Sequence, residues 1–184
     1  MPEIIDICDS EGHLTGQQLA RSEAHRQERW HRVALVWIVN SSGELLVQRR
    51  AEHLGCFPGL WDVSVDGHVS AGDEPTPTAV RELAEELGVA AQPSDLTFAD
   101  AYADRYTMAY DKTHQEYDYV FILRRDIETK DLVFQAAEVL DARWMTADEL
   151  ERGLQDTPAL FAGRSRQAYD IGLRAARQQA GSAR

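Results

Sequence analysis

The hydrophobic pattern predicts a β-sheet in the middle of the chain. Residues 33–39 are almost continuously apolar, which is typical of a strand buried on both faces. Residues 44–50 follow an Asn-Ser-Ser-Gly turn and are predicted to form the returning strand. Further along, residues 96–110 and 116–125 predict two long strands, with a turn at 111–113 between them.

Shorter elements are predicted around these strands. Short apolar runs predict strands at 61–65 and 143–145, the first after a loop at 51–60 that is rich in glycine and proline. The N-terminal residues 1–30 predict a hairpin over 3–20, followed by a short helix that Ser22 caps and that runs through Arg29. This mixture of strands and helices favours a layered α/β domain.

Two helices are predicted after the last strand. Thr146 caps the first of them, with Glu149 at the capping-box position. The C-terminal helix is predicted over 158–178, with a loosely periodic apolar side that includes Leu160 and Phe161. The remaining residues, 179–184, are expected to fray.

The most informative helix is predicted between Pro77 and Leu87. Thr76 is a candidate N-cap, and Gly88 suits the left-handed residue just after a helix. One side of this helix is apolar, through Ala79, Val80, Leu83, Ala84 and Leu87. Nearly opposite lie three carboxylates, those of Glu82, Glu85 and Glu86.

Such a carboxylate face is unfavourable for a helix that only has to fold. Like charges at helical spacing cost roughly 0.2–0.5 kcal/mol per pair, and anions in the last turn oppose the helix dipole. A hard divalent cation reverses the sign of both effects, because Mg2+ prefers oxygen ligands and often bridges to phosphate. The three glutamates therefore predict a Mg2+ or Mn2+ site.

Residues 67–89 resemble the Nudix box, G-x5-E-x7-R-E-U-x-E-E-x-G-U, where U is a bulky aliphatic residue. Gly67 takes the first position, and Arg81 to Val89 fit the second half without a break. Asp73 stands where the family has glutamate. The resemblance implies a single Nudix domain over 1–184, folded as an α/β/α sandwich around a mixed β-sheet.

The resemblance also implies a chemistry. A Nudix hydrolase breaks a diphosphate linkage in a nucleoside phosphate or another X-linked diphosphate, and Glu82, Glu85 and Glu86 would hold its Mg2+. Glu82, Glu86 and Arg81 are then the catalytic candidates, with Arg81 orienting the glutamates. Glu82, Glu116 and Glu138 are candidates for the general base, with Glu82 the first choice.

Substrate contacts are predicted from residues around the box. Arg49 and Arg50 suit phosphate binding, because a guanidinium fork matches phosphate geometry, and salt bridges to nearby acids are an equal alternative. Trp61 is a candidate for stacking on a nucleobase, although core packing is the commoner role of such a residue. Gly67 is expected to let the loop turn tightly beside the diphosphate.

The chain also resembles type I isopentenyl diphosphate isomerase, a branch related to Nudix hydrolases. The resemblance is carried by segments such as A-H-R-Q-E-R-W-H-R and F-P-G-L-W-D-V-S-V-D-G-H. That isomerase requires a cysteine just before the Gly-His pair, where this chain has Asp66. Its box also lacks the complete glutamate set. Both differences favour a hydrolase over an isomerase, and a complete box also disfavours a catalytically silent nucleotide sensor.

The same resemblance implies a second metal site, because His25, His31 and His68 match the three histidines of the isomerase. Glu116 then matches its catalytic acid, and His114 replaces a second glutamate. Neutral imidazoles suit Zn2+, Mn2+ or iron better than Mg2+. The alternative is that these side chains form only structural hydrogen bonds.

Composition narrows the partners of the protein. The chain has 184 residues and a net charge of −12, which disfavours nucleic acids and acidic membranes as partners. The small diphosphate substrate that the Nudix resemblance implies is compatible with this charge, because bound cations would dominate the local field. No signal peptide or membrane-spanning run is seen in this sequence, and Cys8 and Cys56 are expected to be free thiols in the cytoplasm. Both a monomer and a homodimer remain open.

Overall fold

The computed structural model describes residues 2–107 and 113–182, and these form nine strands and four α-helices. The strands are β1 Ile4–Cys8, β2 Leu14–Ala20, β3 His31–Val39, β4 Glu44–Arg50, β5 Trp61–Asp62, β6 Val65–His68, β7 Leu96–Thr107, β8 Thr113–Arg124 and β9 Val139–Thr146. The helices are α1 Arg21–Arg26, α2 Pro75–Leu87, α3 Ala147–Asp156 and α4 Arg166–Ser182.

Strand β3 lies at the centre of a mixed sheet. It runs parallel to β8, from His31 opposite Glu116 to Val39 opposite Arg124, and antiparallel to β1, β4 and β6. Every residue of β3 is buried, which agrees with the apolar run at 33–39. The outer strands β2, β5, β7 and β9 each pair with a strand that adjoins β3.

Helices cover both faces of the sheet. On one face Leu35 and Trp37 pack with residues of α3 and α4, and the Trp37 indole donates a hydrogen bond to the carbonyl of Ala168 over 3.0 Å. On the other face Val36 and Ile38 pack with the apolar side of α2. The predicted α/β/α sandwich around a mixed sheet is therefore confirmed.

The N-terminal hairpin is formed by β1 and β2, as the sequence predicts. The helix after it is shorter than predicted. It begins at Arg21, it has no side-chain cap, and it ends at Arg26, so the prediction of a Ser22 cap and an end at Arg29 is wrong.

Helix α2 begins before the predicted N-cap. Its first residue is Pro75, which places Thr76 inside the helix, and Glu74 at the N-cap position offers no side-chain bond. The end is as predicted, because Gly88 has φ 69° in the left-handed region. Ala84, predicted on the apolar side, is exposed.

The predicted strand at 61–65 is divided into β5 and β6. Between them Ser64 accepts a hydrogen bond from the Ile38 amide and donates one to the Leu46 carbonyl, so this residue bonds across the sheet through its side chain. The two long strands β7 and β8 are confirmed, although β8 begins at Thr113. The rest of the predicted turn at 111–113, and the predicted strand residues 108–110, lie outside the described residues.

Strand β9 extends the prediction at 143–145, and the Thr146 capping box of α3 is confirmed. The C-terminal helix begins and ends later than the predicted range 158–178. Residues 158–160 form a single 3-10 turn, the chain is then extended, and α4 begins only at Arg166 and continues through Ser182. The extended part is held by long-range contacts, since the Ala162 amide donates to the Trp61 carbonyl over 2.7 Å. No helix in the described ranges is long and apolar enough to span a membrane.

Candidate functional site

A cavity of about 550 Å³ opens where the N-terminal hairpin, β6, α2 and the start of β8 meet. Predicted site residues that line it are His25, Arg50, Gly67, His68, Arg81, Glu82, Glu85 and Glu138. The sequence analysis assigned no role at the site to other lining residues, among them Glu3, Arg21, Leu54, Cys56 and Ser70. Arg21 comes from α1 and pairs with Glu3 over 2.9 Å. Local patterns carry no signal that would bring these segments together.

The three glutamates of α2 differ in burial. Glu85 is exposed, Glu82 is half-buried, and Glu86 is 1% exposed. Burial raises the pKa of Glu82 to about 7, and burial together with the charge of Asp66 raises the pKa of Glu86 well above its ordinary value. A charged carboxylate in such a place needs a compensating partner. Glu82 and Glu85 line the cavity with Glu86 buried beside them, and carboxylate oxygens that repel each other in this way fit the ligand chemistry of a hard divalent cation.

Arg81 joins two acids of the box. One guanidinium nitrogen lies 3.1 Å from Glu82 Oε1 and another lies 3.1 Å from Asp73 Oδ2. The shorter side chain of Asp73 therefore still reaches the arginine. The contact with Arg81 fixes the position of the Glu82 carboxylate.

A glycine is needed at position 67 for a different reason from the predicted one. It lies inside β6, opposite Ala34, and its backbone is not in the left-handed region. A Cβ atom at this position would come within 2.3 Å of the Glu82 side chain. The glycine therefore makes space for a glutamate, and the expected tight loop turn is wrong.

The four members of the predicted second metal site converge. His31 stands opposite Glu116 in the β3–β8 pairing, and His68 is brought beside them by the β3–β6 pairing. The Nε2 atom of His25 lies 3.2 Å from that of His31 and 3.0 Å from that of His68. One ligand atom from each of the four side chains lies within 4.8 Å of all the others.

The protonation of this cluster suits a metal. Burial lowers the pKa of His25 to about 3 and also holds the pKa values of His31 and His68 below their ordinary range. His31 Nδ1 lies 2.8 Å from the Arg29 carbonyl, so it carries the proton and donates, which leaves the Nε2 lone pair facing the cluster. Neutral imidazoles that converge through Nε2 fit a nitrogen-preferring divalent ion.

Beside this cluster lies a network of buried ion pairs. Asp66 lies 2.6 Å from Arg50 on one oxygen and 2.8 Å from Arg164 on the other, and Arg164 also binds Asp62 at 2.6 and 2.9 Å. Burial opposes ionisation of Asp66, but the two guanidinium groups lower its pKa to about 2. Arg50 therefore lines the cavity while it is paired with acids, and its predicted phosphate contact remains a prediction.

Two residues predicted to contact the substrate face elsewhere. Arg49 donates to the Gly59 carbonyl over 2.9 Å and pairs with Glu52, so it forms the salt bridge that was the alternative. Trp61 packs against the core, and the Arg143 guanidinium lies 4.1 Å from its ring. Neither lines the cavity within the described residues.

The remaining candidate acids occupy different surroundings. Glu138 lines the cavity, and burial together with the charge of Asp66 raises its pKa. Glu116 is buried, which alone would raise its pKa, but the hydrogen bond from His114 and the attraction of His31 and Arg164 hold the pKa below its ordinary value. A carboxylate stabilised in its charged form is a poor proton acceptor.

A mixed sheet between two helical layers, with Glu82 and Glu85 of one helix lining a cavity, is typical of the Nudix class of α/β/α domains. The sequence agrees with this class, because residues 29–165 match the NUDIX domain. The chain belongs to the Nudix family.

Relatives occur on both branches of this family. An uncharacterised Nudix hydrolase of Listeria monocytogenes is 34% identical over 146 residues, which cover 79% of this chain and 81% of that protein. An isopentenyl-diphosphate Delta-isomerase of Shigella dysenteriae is 31% identical over 161 residues, covering 87% of this chain and 86% of that enzyme. A crystal structure of a protein from Deinococcus radiodurans superposes with a TM-score of 0.69 at 26% identity, covering 92% of this chain and 97% of the other.

Proposed function

We propose that the protein is a Mg2+-dependent hydrolase of small diphosphate compounds. The observation that carries the proposal is the buried carboxylate of Glu86, which lies beside Glu82 on a helix that also presents Glu85 to the cavity. Mg2+, or Mn2+ in its place, would be held by these three glutamates. Membership of the Nudix family supports the proposal, as does a named Nudix hydrolase among the relatives.

Three arginines have separate roles in the proposed reaction. A bound divalent cation would neutralise the charge of the bridging phosphate oxygens and lower the pKa of a water molecule. Arg81 orients Glu82, and Arg50 offers the cavity a guanidinium whose position Asp66 fixes. Arg21 also lines the cavity, where it pairs with Glu3, and its guanidinium would bind a phosphate by exchanging that partner.

Glu138 is our choice for the general base. Glu82 is bound by Arg81, and the surroundings of Glu116 stabilise its charged form. Among the described contacts Glu138 has no ion-pair partner, it lines the cavity, and burial raises its pKa above the ordinary value of a glutamate. It would accept the proton of the attacking water as the bond to the bridging oxygen breaks.

A glutamine at position 86 tests this assignment. Glu86→Gln keeps the size of the side chain and removes the charge, so the variant should fold normally and lose Mg2+-dependent turnover. Glu128→Gln, at an exposed position outside the cavity lining, is the control and should keep full activity. A panel of nucleoside diphosphates, nucleotide sugars and organic diphosphates, scored for the phosphate or phosphate monoesters that hydrolysis releases, would identify the substrate class. Undiminished turnover by Glu86→Gln would refute the metal assignment.

Isomerisation of an allylic diphosphate is the second candidate. The converging imidazoles and Glu116 favour it, together with the isomerase relatives. The position of Asp66 opposes it, because a carboxylate held by two arginines replaces the cysteine that the isomerase requires. Reaction in oxygen-18 water separates the two: labelled phosphate indicates hydrolysis, and an unlabelled double-bond isomer indicates isomerisation. A nucleotide sensor would bind its ligand and produce neither.

We also infer a small-molecule role in the cytoplasm. The net charge of −12 disfavours nucleic acid as a partner, and both cysteines are free thiols, which is typical of a reducing compartment. Separating soluble from membrane fractions of the native host, with detection of the protein in each, tests the location.

A further inference from the structure

The turn that carries Asp73 is held by the N-terminal hairpin. In this turn the Asp73 amide donates to the Ser70 carbonyl over 2.9 Å, and the third residue, Gly72, has φ 82°, as a type II turn requires. The Gly72 amide points out of the turn and donates to Asp6 Oδ2 over 2.7 Å. Asp6 lies in β1, outside the residues 29–165 that match the NUDIX domain. A side chain outside the matched domain therefore binds the loop of the Nudix box.

The same carboxylate also faces a buried arginine. Arg32 of β3 is 5% exposed, donates to the Asp73 carbonyl over 2.9 Å and lies 3.6 Å from Asp6 Oδ2. Glu74 approaches Arg32 as well, but at 4.0 Å and from an exposed side chain. Asp6 is thus the buried anion at which the turn and Arg32 meet, and its loss would release the Gly72 amide and weaken the hold on Arg32.

From the turn the contacts continue to the proposed Mg2+ site. Asp73 Oδ2 lies 3.1 Å from Arg81, and another nitrogen of Arg81 lies 3.1 Å from Glu82 Oε1. Aspartate has one methylene fewer than the glutamate of the Nudix box, so its reach to Arg81 depends more closely on where the turn places its backbone. A fixed turn therefore fixes the arginine and, through it, the Glu82 carboxylate.

We propose that Asp6 is a positioning residue for the Mg2+ site, because it fixes the turn that carries Asp73 and thereby the orientation of Glu82. This inference rests on the proposed function and gives the N-terminal hairpin a part in it. Loss of a side chain that orients a metal ligand lowers metal affinity by about 10- to 100-fold. A purely structural Asp6 would instead affect the stability of the protein and leave the Mg2+ affinity of the folded protein unchanged.

Calorimetric titration with Mg2+ alone tests the proposal without substrate. Asp6→Ala should weaken Mg2+ binding about tenfold. Asp6→Asn, which keeps an oxygen acceptor for the Gly72 amide, should lose less and serves if alanine prevents folding, which circular dichroism shows. Asp9→Ala is the matched control, because Asp9 accepts the Glu11 and His13 amides within the hairpin turn and should not affect Mg2+ binding. Wild-type affinity in both Asp6 variants, or an equal loss in Asp9→Ala, would overturn the proposal.

A double-mutant cycle shows whether Asp6 acts through Asp73. Asp73→Ala should itself weaken Mg2+ binding. Adding Asp6→Ala to that variant should cause little further loss, because both changes interrupt the same series of contacts. Fold losses that multiply in the double variant would mean that the two residues act independently and would refute the positioning role.

Hydrogen exchange of the metal-free protein gives a measurement that does not need the cation. The Gly72 amide should exchange faster in Asp6→Ala than in the wild type and in Asp9→Ala, and unchanged exchange would contradict the contact on which the proposal depends. A wild type that binds Mg2+ but hydrolyses no diphosphate would refute the proposed function and leave the effect of Asp6 on Mg2+ affinity measurable. A hydrolase in which Asp6→Ala binds Mg2+ normally would refute the positioning role alone, and a wild type without Mg2+ binding would refute both.

Discussion

Gln48 donates a hydrogen bond from its side-chain amide to Glu86 Oε2 over 2.9 Å, and both side chains are 1% exposed. Gln48 comes from β4 and Glu86 from the last turn of α2, so this bond fixes a helix carboxylate from the sheet beneath it. The glutamine presents a donor to one carboxylate oxygen, which leaves the other oxygen available to a cation. Such partners commonly change metal affinity 10- to 100-fold when they are lost.

Gln48→Leu should therefore weaken Mg2+ binding by about tenfold or more, with turnover restored at saturating Mg2+. The variant keeps the approximate volume of the side chain and removes its amide group, of which only the nitrogen has a hydrogen-bond partner among the described residues. Calorimetric titration with Mg2+ and turnover as a function of Mg2+ concentration measure the effect. Gln167→Leu, at an exposed position of α4, is the matched control. Unchanged Mg2+ affinity in Gln48→Leu would show that the glutamine does not position Glu86.

Gly67→Ala should lower both stability and turnover. The added methyl group would lie 2.3 Å from Glu82 Cγ and 2.4 Å from Cδ, so either the strand or the glutamate must shift. Overpacking of this kind costs about 1–3 kcal/mol in unfolding free energy. Urea denaturation and turnover measure the two effects. Gly181→Ala, where an added methyl group meets nothing within 4 Å, should change neither, and wild-type behaviour of Gly67→Ala would contradict the steric argument.

Arg164→Met should destabilise the fold by about 3–5 kcal/mol, because it leaves Asp62 as a buried charge with a weaker partner. Asp62 is fully buried, and the nearest remaining cation is Arg50 at 3.4 Å. Arg166→Ala removes an exposed ion pair with Asp170 and should cost less than about 1 kcal/mol. Urea denaturation of the two variants compares a buried and an exposed arginine two residues apart, and equal losses would contradict the difference expected from burial.

The sequence predicts an element well where its own residue pattern allows only one secondary structure. Residues 33–39 are apolar on both faces because β3 is covered on both sides, and the α2 glutamates occupy one surface through helical spacing alone. The predicted start of the C-terminal helix is wrong because apolar residues near Phe161 suit a helix and an extended segment equally. Contact with β5, a hundred residues earlier, decides between them.

The site depends still more on long-range contacts. The convergence of His25, His31 and His68 was expected only from resemblance to an enzyme family, because their spacing in the chain forms no local motif. Arg164 binds Asp62 across 102 positions, and neither residue carries a sequence signal for the other. Strand register brings such residues together, and register is a property of the whole sheet.

Asp66→Cys should not produce an isomerase, although it places a cysteine where that enzyme requires one. The Asp66 carboxylate lies 2.6 Å from Arg50 and 2.8 Å from Arg164. A neutral thiol in its place would remove an anionic partner from both guanidinium groups. Removing one partner of such a buried pair costs about 3–5 kcal/mol, so the variant should be less stable in urea and should form no double-bond isomer from an allylic diphosphate. Asp66→Asn, which removes the same charge without adding a thiol, should lose similar stability. An Asp66→Cys protein of wild-type stability that isomerises the diphosphate would show that the arginines do not need Asp66 and that the cavity belongs to the other branch of the family.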